Sequence, residues 1–445
     1  MKFLATTLLV FTATAAVAQD CSTITNADAK TASWNQTPLW NFHMANTDII
    51  QWHPSFPSQY YGPNSMTSHA ESAETVDFDV FLGLRLWSGA ELHIDGLAWQ
   101  GFGLSHTFGI EAFPSAMAYK VGARLADATF ARVFVRQVIN LGGEQHEVPD
   151  DQLHLAGKHD SSRIELTLGE ISLLDIFDKN TYAGDPATQF LNWAFVGNEA
   201  WDYPASSLGY ITGFAAELYH ADWAARYGFF QVSSQANGLA IDQAYLDAWG
   251  MVTELERDFS IHNHPGAIRF LAYLNRAHMG SYSEAIDSAT RPADIEATQA
   301  YRYKYGFCLN AEQEIVKDVG LFSRLGWSDG HSQAWEYSDV DQSASLGASV
   351  NGELWKRPED TWAIAGVVSA LSHSHQQFLE DGGLGILAGD GALNYGLEKA
   401  METYYNLEVW KSVHVTADYQ FVIDPAFNRA RGPISILGGR LHWEF

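Results

Sequence analysis

From residue 40 to residue 445 the chain repeats one pattern: apolar and polar residues alternate with period two, stop, and begin again. Period two is the signature of a strand with one apolar and one polar face, and hardly any helical period interrupts it. The candidate strands are 42–53, 74–87, 90–102, 129–140, 162–171, 208–220, 223–233, 249–261, 266–278, 299–308, 312–326, 344–357, 360–371, 399–410, 412–423 and 433–445, about sixteen in all. In 301–308, Tyr301, Tyr303, Tyr305 and Phe307 share one face and Arg302 and Lys304 the other. In the last segment Leu437, Leu441, Trp443 and Phe445 oppose Arg440, His442 and Glu444.

The connections constrain the fold further. After the second strand every other link is short: 88–89, 220–222, 261–265, 310–311, 357–360 and 411–412. The intervening links are mostly long, as in 54–73, 103–128, 172–207, 234–248, 279–298, 327–343 and 372–398. Tight turns on one rim and long loops on the other are the periplasmic and extracellular ends of a transmembrane antiparallel β-barrel. A soluble sandwich has no reason to sort its loops by parity. One link breaks the rule: 141–161 is long on the tight-turn rim, and it reads as continued strand with a turn near 157–161.

Hydropathy cannot decide between barrel and soluble protein, because half of every barrel strand faces water. Mean hydropathy is -0.15, and beyond the first residues no apolar run reaches the ~20 residues of a membrane helix. Lys2, the apolar run 3–10 and Ala16-Val17-Ala18 form an export signal over 1–18. Residues 19–41 then read as a short periplasmic or lumenal segment, and 42–445 as the barrel. Cys21 and Cys308 are the only cysteines, leaving one bridge or two free thiols open. A formal charge of -27 argues against nucleic-acid binding, which wants a basic footprint. Outer-membrane lipid and the barrel-assembly machinery are the expected partners, and oligomeric state is open.

The segment 172–207 is too aromatic for an exposed loop, with Phe177, Tyr182, Phe190, Trp193, Phe195, Trp201 and Tyr203. It is expected to fold into the lumen. There Trp193 and Trp201 would offer flat faces to sugar rings, and Asn192, Glu199 and Asp202 would bond hydroxyls. Packing of the loop onto the wall accounts for the same aromatics. Alternation turns Arg85, Arg132, Arg136, Arg302, Lys304, Arg324 and Arg440 inward, with Glu165, Glu353, Glu408 and Asp418 as acidic counterparts. A guanidinium can bond vicinal hydroxyls in its plane. Wall-to-loop ion pairs are the plainer role for any one of these residues.

Enzyme signals are weak. Asp175/Asp178 and Glu199/Asp202 resemble hydrolase carboxylate pairs, but acidic residues are abundant enough to produce such pairs by chance. His262/His264 and His373/His375 fall on opposite rims without a third ligand. No phosphate-cradling glycine loop, nucleophile elbow or zinc motif occurs, and no cofactor is implied.

Several blocks resemble the OprB-type carbohydrate-selective porins of Gram-negative outer membranes. They are HPSFPSQYYGPNSM at 53–66, FLGLRLWSGAEL at 81–92, GFGLSHTFGIEAFPSAMAYKVG at 101–122 and FARVFVRQVINLGG at 130–143. FDKNTYAGDPATQFLNWAF at 177–195 with AWDYPA at 200–205 is the most specific; YYNLEVWKSVHVTADYQFVIDP at 404–425 and the final GGRLHWEF complete the set. The resemblance implies a sixteen-stranded barrel for diffusion of glucose-like monosaccharides, narrowed by inward loops and charged wall residues. Glu170, where the family often has Lys, and Ser115-Ala116, where Asn-Gly is common, are departures that bear on sugar preference. Two rival readings remain: a general or ion-preferring diffusion porin, and a secreted β-rich glycan-binding protein or hydrolase.

Overall fold

The computed structural model describes residues 38–118, 122–288 and 290–445. Sixteen strands run β1 (Trp40–His53), β2 (Glu71–Trp87), β3 (Ala90–Gly101), β4 (Ala123–Val148), β5 (Gly157–Ile171), β6 (Ile211–His220), β7 (Trp223–Phe230) and β8 (Trp249–Ile261). They continue as β9 (His264–Met279), β10 (Ala300–Val316), β11 (Val319–Ser328), β12 (Gln342–Asn351), β13 (Thr361–Ala370), β14 (Glu398–Trp410), β15 (Val413–Ile423) and β16 (Ile434–Glu444). Each pairs antiparallel with its sequence neighbours, and β16 returns to β1 from Ala45↔Glu444 to Trp52↔Leu437. Closure leaves no unpaired edge, the condition for crossing a bilayer with strands. The export signal, most of the 19–41 segment and Cys21 lie outside the described residues; β1 begins at Trp40.

The pleat divides each strand as its sequence alternates. Leu346, Val415, Leu437, Tyr303 and Phe307 point outward and are exposed, whereas Lys304, Arg324, Asp418 and Arg440 point inward and are buried. Two-residue turns join most pairs on the periplasmic rim, with Gly89, Ala221, His262, Asp318 and Ser412 in the left-handed region that suits tight hairpins.

Three periplasmic connections differ from the sequence expectation. The turn expected at 310–311 is at 317–318, because Asn310 and Glu312 are inward wall residues holding the lumenal loop rather than turn residues. β12 stops at Asn351, and a short 3-10 turn (Gly352–Trp355) leaves Glu353 exposed at the rim, not facing the lumen. The long periplasmic link is strand to Val148, then a turn over 149–156, with β5 starting at Gly157 where a turn was expected.

Candidate lumenal site

The segment between β5 and β6 lies inside the barrel, tied to wall side chains on many strands. Asp178 takes a bond from Asn310 at 2.7 Å and an ion pair from Arg324 at 3.0 Å, and its own N–H donates to Glu254 at 2.7 Å. Thr181 donates to Glu312, and the N–H groups of Leu191 and Asn192 donate to Glu402 at 2.7 and 2.9 Å. Arg440 donates to the carbonyls of Pro186 and Gln189 at 2.7 and 2.9 Å. Irregular backbone is tolerated at membrane depth only when satisfied in this way. Under these ties Phe177, Phe190, Phe195 and Trp201 are buried, which is where the loop's apolar surface goes.

Beside the loop a cavity of about 570 Å³ remains, a volume suited to a small solute. Part of its lining is aromatic. Trp193 stacks on Phe113 at 5.4 Å and 7°, and Tyr337 stands 5.0 Å from both Trp193 and Tyr203. Another part is charged. Arg132 grips Asp175 with Nε and Nη2 at 2.7 and 2.9 Å and reaches Asp95 with Nη1 at 2.7 Å. Its guanidinium lies 5.0 Å from the Tyr210 ring. Arg136 is 4.0 Å from Glu165. Lys179 and Asp185 project from the loop into the same space.

Of the residues singled out from sequence, Arg132, Arg136 and Trp193 line this cavity, as do Asp175 and Tyr203 of the lumenal segment. The others are placed elsewhere. Asn192 is fully buried, caps the short helix Trp193–Val196 and donates to Gln420. Trp201 packs between Phe177 and Tyr203, so it offers no face to a solute. Asp202 accepts from the N–H groups of Trp335 and Glu336 and pairs with Lys304 at 3.2 Å. Arg324 and Arg440 are loop anchors. Arg302 pairs with Glu284 outside the chamber, Glu165 is held by Arg163 at 2.6 Å, and Arg85 pairs with Glu91 at 3.3 Å. Glu408 accepts from the Ser412 N–H in the β14–β15 turn. The carboxylate pairs are likewise spent: Asp175 on Arg132, Asp178 on Arg324, Asp202 on backbone. Cys308 is a buried free thiol packed in the apolar cluster beneath the loop.

Sequence reasoning missed Phe113, Tyr210, Tyr337 and Lys179 as chamber residues. Three of them sit outside the stretch 172–207 and reach it only through loop convergence, for which period two gives no signal. Lys179 lies within the block FDKNT and carried no distinguishing mark.

Glu199 reports on how tightly the loop is seated. Its Oε1 is buried without a hydrogen bond, Oε2 accepts from Ser369, and burial followed by the charge of Glu398 pushes its pKa up to about 8. A free glutamic acid titrates near 4.3. The folded form therefore binds the extra proton between those values, and this contribution to stability is complete at low pH and lost as pH rises through about 8. Near-ultraviolet dichroism is expected to show the loop loosening between pH 6 and pH 9, and Glu199→Gln should flatten that slope. An identical slope in both proteins would exclude Glu199 as its source.

Among solved structures, the high-pH structure of OprB from Pseudomonas putida superposes with a TM-score of 0.69 at 14% identity, covering 91% of this chain and 94% of that one. The outer-membrane channel DcaP of Acinetobacter baumannii gives 0.50 at 7% identity, over 93% and 99%. Both share the barrel fold. No curated protein matches the chain. The family model for carbohydrate-selective porins matches residues 64–445, nearly all of the barrel. The chain belongs to the OprB family of carbohydrate-selective porins.

Proposed function

We propose that glucose-like monosaccharides cross the outer membrane passively through the chamber beside the lumenal loop. The observation that carries this reading is the chamber's mixed lining: the rings of Trp193, Tyr203, Tyr210 and Tyr337 together with the guanidinium groups of Arg132 and Arg136. A pyranose has the matching form, with apolar C–H faces and a belt of hydroxyls. The rings of Tyr337 and Tyr210 are half-buried and present more surface than Trp193, whose face is covered by Phe113. Contacts of this kind are weak enough to release the solute, which passage requires.

Titrating glucose into single channels is expected to produce transient block of the ion current. Tyr337→Leu should weaken that block about fivefold, the loss of ~1 kcal/mol of aromatic contact. Liposome swelling with glucose, a disaccharide and an amino acid supplies the opposing result: rates that scale with size alone would end the sugar reading.

One observation favours an ion preference alongside. The lining holds the carboxylates of Asp151, Asp175, Asp185 and Glu444 against the cations Arg132, Arg136 and Lys179. A reversal potential across a KCl gradient should therefore show cation preference.

A further inference from the structure

The β4–β5 hairpin overshoots its neighbours: β4 continues to Val148, past Val138, whose N–H donates to the Gly89 carbonyl of the adjacent turn. Residues 149–156 do not stay at the rim beside their own strands. Gln152 donates to Glu444 of β16 at 3.1 Å, and His43 of β1 pairs with Asp150 at 3.2 Å. β5 and β16 are five strand steps apart around the barrel. The turn also leaves from β4, four steps from β16, so at ~4.8 Å per step it extends over on the order of 19 Å of the rim, with ties on β16, β1, β2 and β4.

It is also fastened from the inside. Nδ2 of Asn41 lies 2.9 Å from Asp150 Oδ1 and from the carbonyls of Asp151 and His154. That reach depends on Gly83, the cross-strand partner of Asn41, where a Cβ would stand 2.2 Å from the Asn41 Oδ1. Arg136 donates to the Leu153 carbonyl at 2.8 Å, and Arg85 to that of Ala156 at 3.1 Å. Leu155 is buried, so the turn has a small apolar foothold. Asp151 and Leu153 line the same cavity as Trp193 and Tyr203. A solute leaving the aromatic chamber toward the periplasm meets this turn.

We propose that the 149–156 turn is a second size filter, set across the periplasmic exit and separate from the constriction made by the lumenal loop. Asn41 and Arg85 are its positioning residues, and the filter discriminates by bulk among neutral sugars. The proposal depends on the sugar reading only for the route a solute takes.

The test replaces 149–156 by Asn-Gly, a two-residue hairpin of the length found at most of the rim. Single-channel conductance should rise at least twofold, and swelling rates for sucrose and raffinose should rise relative to arabinose. Asn41→Ala should give a channel that switches between the parent and the raised level. A shortened variant that folds, with the heat-modifiable mobility of the parent, yet keeps the parent conductance and sugar ratios overturns the filter. Should the shortened chain fail to assemble, Gln152→Cys gives the answer without altering the hairpin. A bulky impermeant thiol reagent is then expected to halve the current, with the unsubstituted protein as control. No change on labelling overturns the proposal. Glucose block in the parent separates the two readings: its absence removes the sugar site and leaves a shift in size cut-off to stand alone.

Discussion

Arg324→Ala is expected to open the channel without dismantling the barrel. The side chain is 1% exposed and serves four acceptors of the lumenal loop: the Asp178 carboxylate and the carbonyls of Asp178, Ala183 and Phe195. Removing it leaves a buried carboxylate short of its cation and carbonyls short of donors, a loss of ~3–5 kcal/mol. Asp178 itself sits at φ 53, a conformation that a non-glycine residue keeps only when its surroundings impose it. The wall loses little, because the β11 ladder is backbone-made. The expected readings are a larger and noisier conductance, loss of glucose block and new proteolytic cleavage within 172–207. Arg324→Lys should restore the charge but not the several carbonyl bonds, giving an intermediate channel. Parent conductance in Arg324→Ala would mean that Arg440, Glu402 and Asn310 suffice to seat the loop.

Leu346→Arg should cripple assembly instead. Leu346 is 63% exposed at the middle of β12, on the face that lipid covers. An arginine there costs ~2–4 kcal/mol at mid-membrane depth, against ~0–1 near the interfaces. Leu84→Arg and Val415→Arg, close to the periplasmic ends of β2 and β15, should accordingly be milder. Yield in the outer membrane and urea midpoints in liposomes measure the series. A flat response across the three positions would refute the assignment of this face to lipid.

The wall was legible because a barrel repeats a single rule. Inward and outward faces, the parity of the links and nearly all strand positions follow from period two and the need to leave no edge. The misread turn at 310–311 shows where that rule ends. Asn310 looks like turn chemistry in one dimension, but like Glu312 it is a wall residue whose polarity serves a loop more than a hundred residues earlier in the chain. The site was less legible for the same reason. Polar groups inside a barrel are needed first to satisfy loop backbone, so Asp202, Asn192, Arg324 and Arg440 have the composition of ligands and the positions of anchors. Trp201 and Trp193 carry equal weight in a string of letters. Only packing separates the one that is enclosed from the one that keeps an edge in the cavity.

The anchoring of the lumenal loop also imposes an order in time. Phe177, Phe190 and Phe195 emerge from synthesis well before Arg324, Glu402, Gln420 and Arg440, the side chains that later enclose or hold their segment. Until the last strands arrive and β16 meets β1, this greasy stretch has nowhere to go. The chain therefore crosses the periplasm with its stickiest segment uncovered, and the burden of keeping it soluble falls on whatever escorts it rather than on the fold it will become.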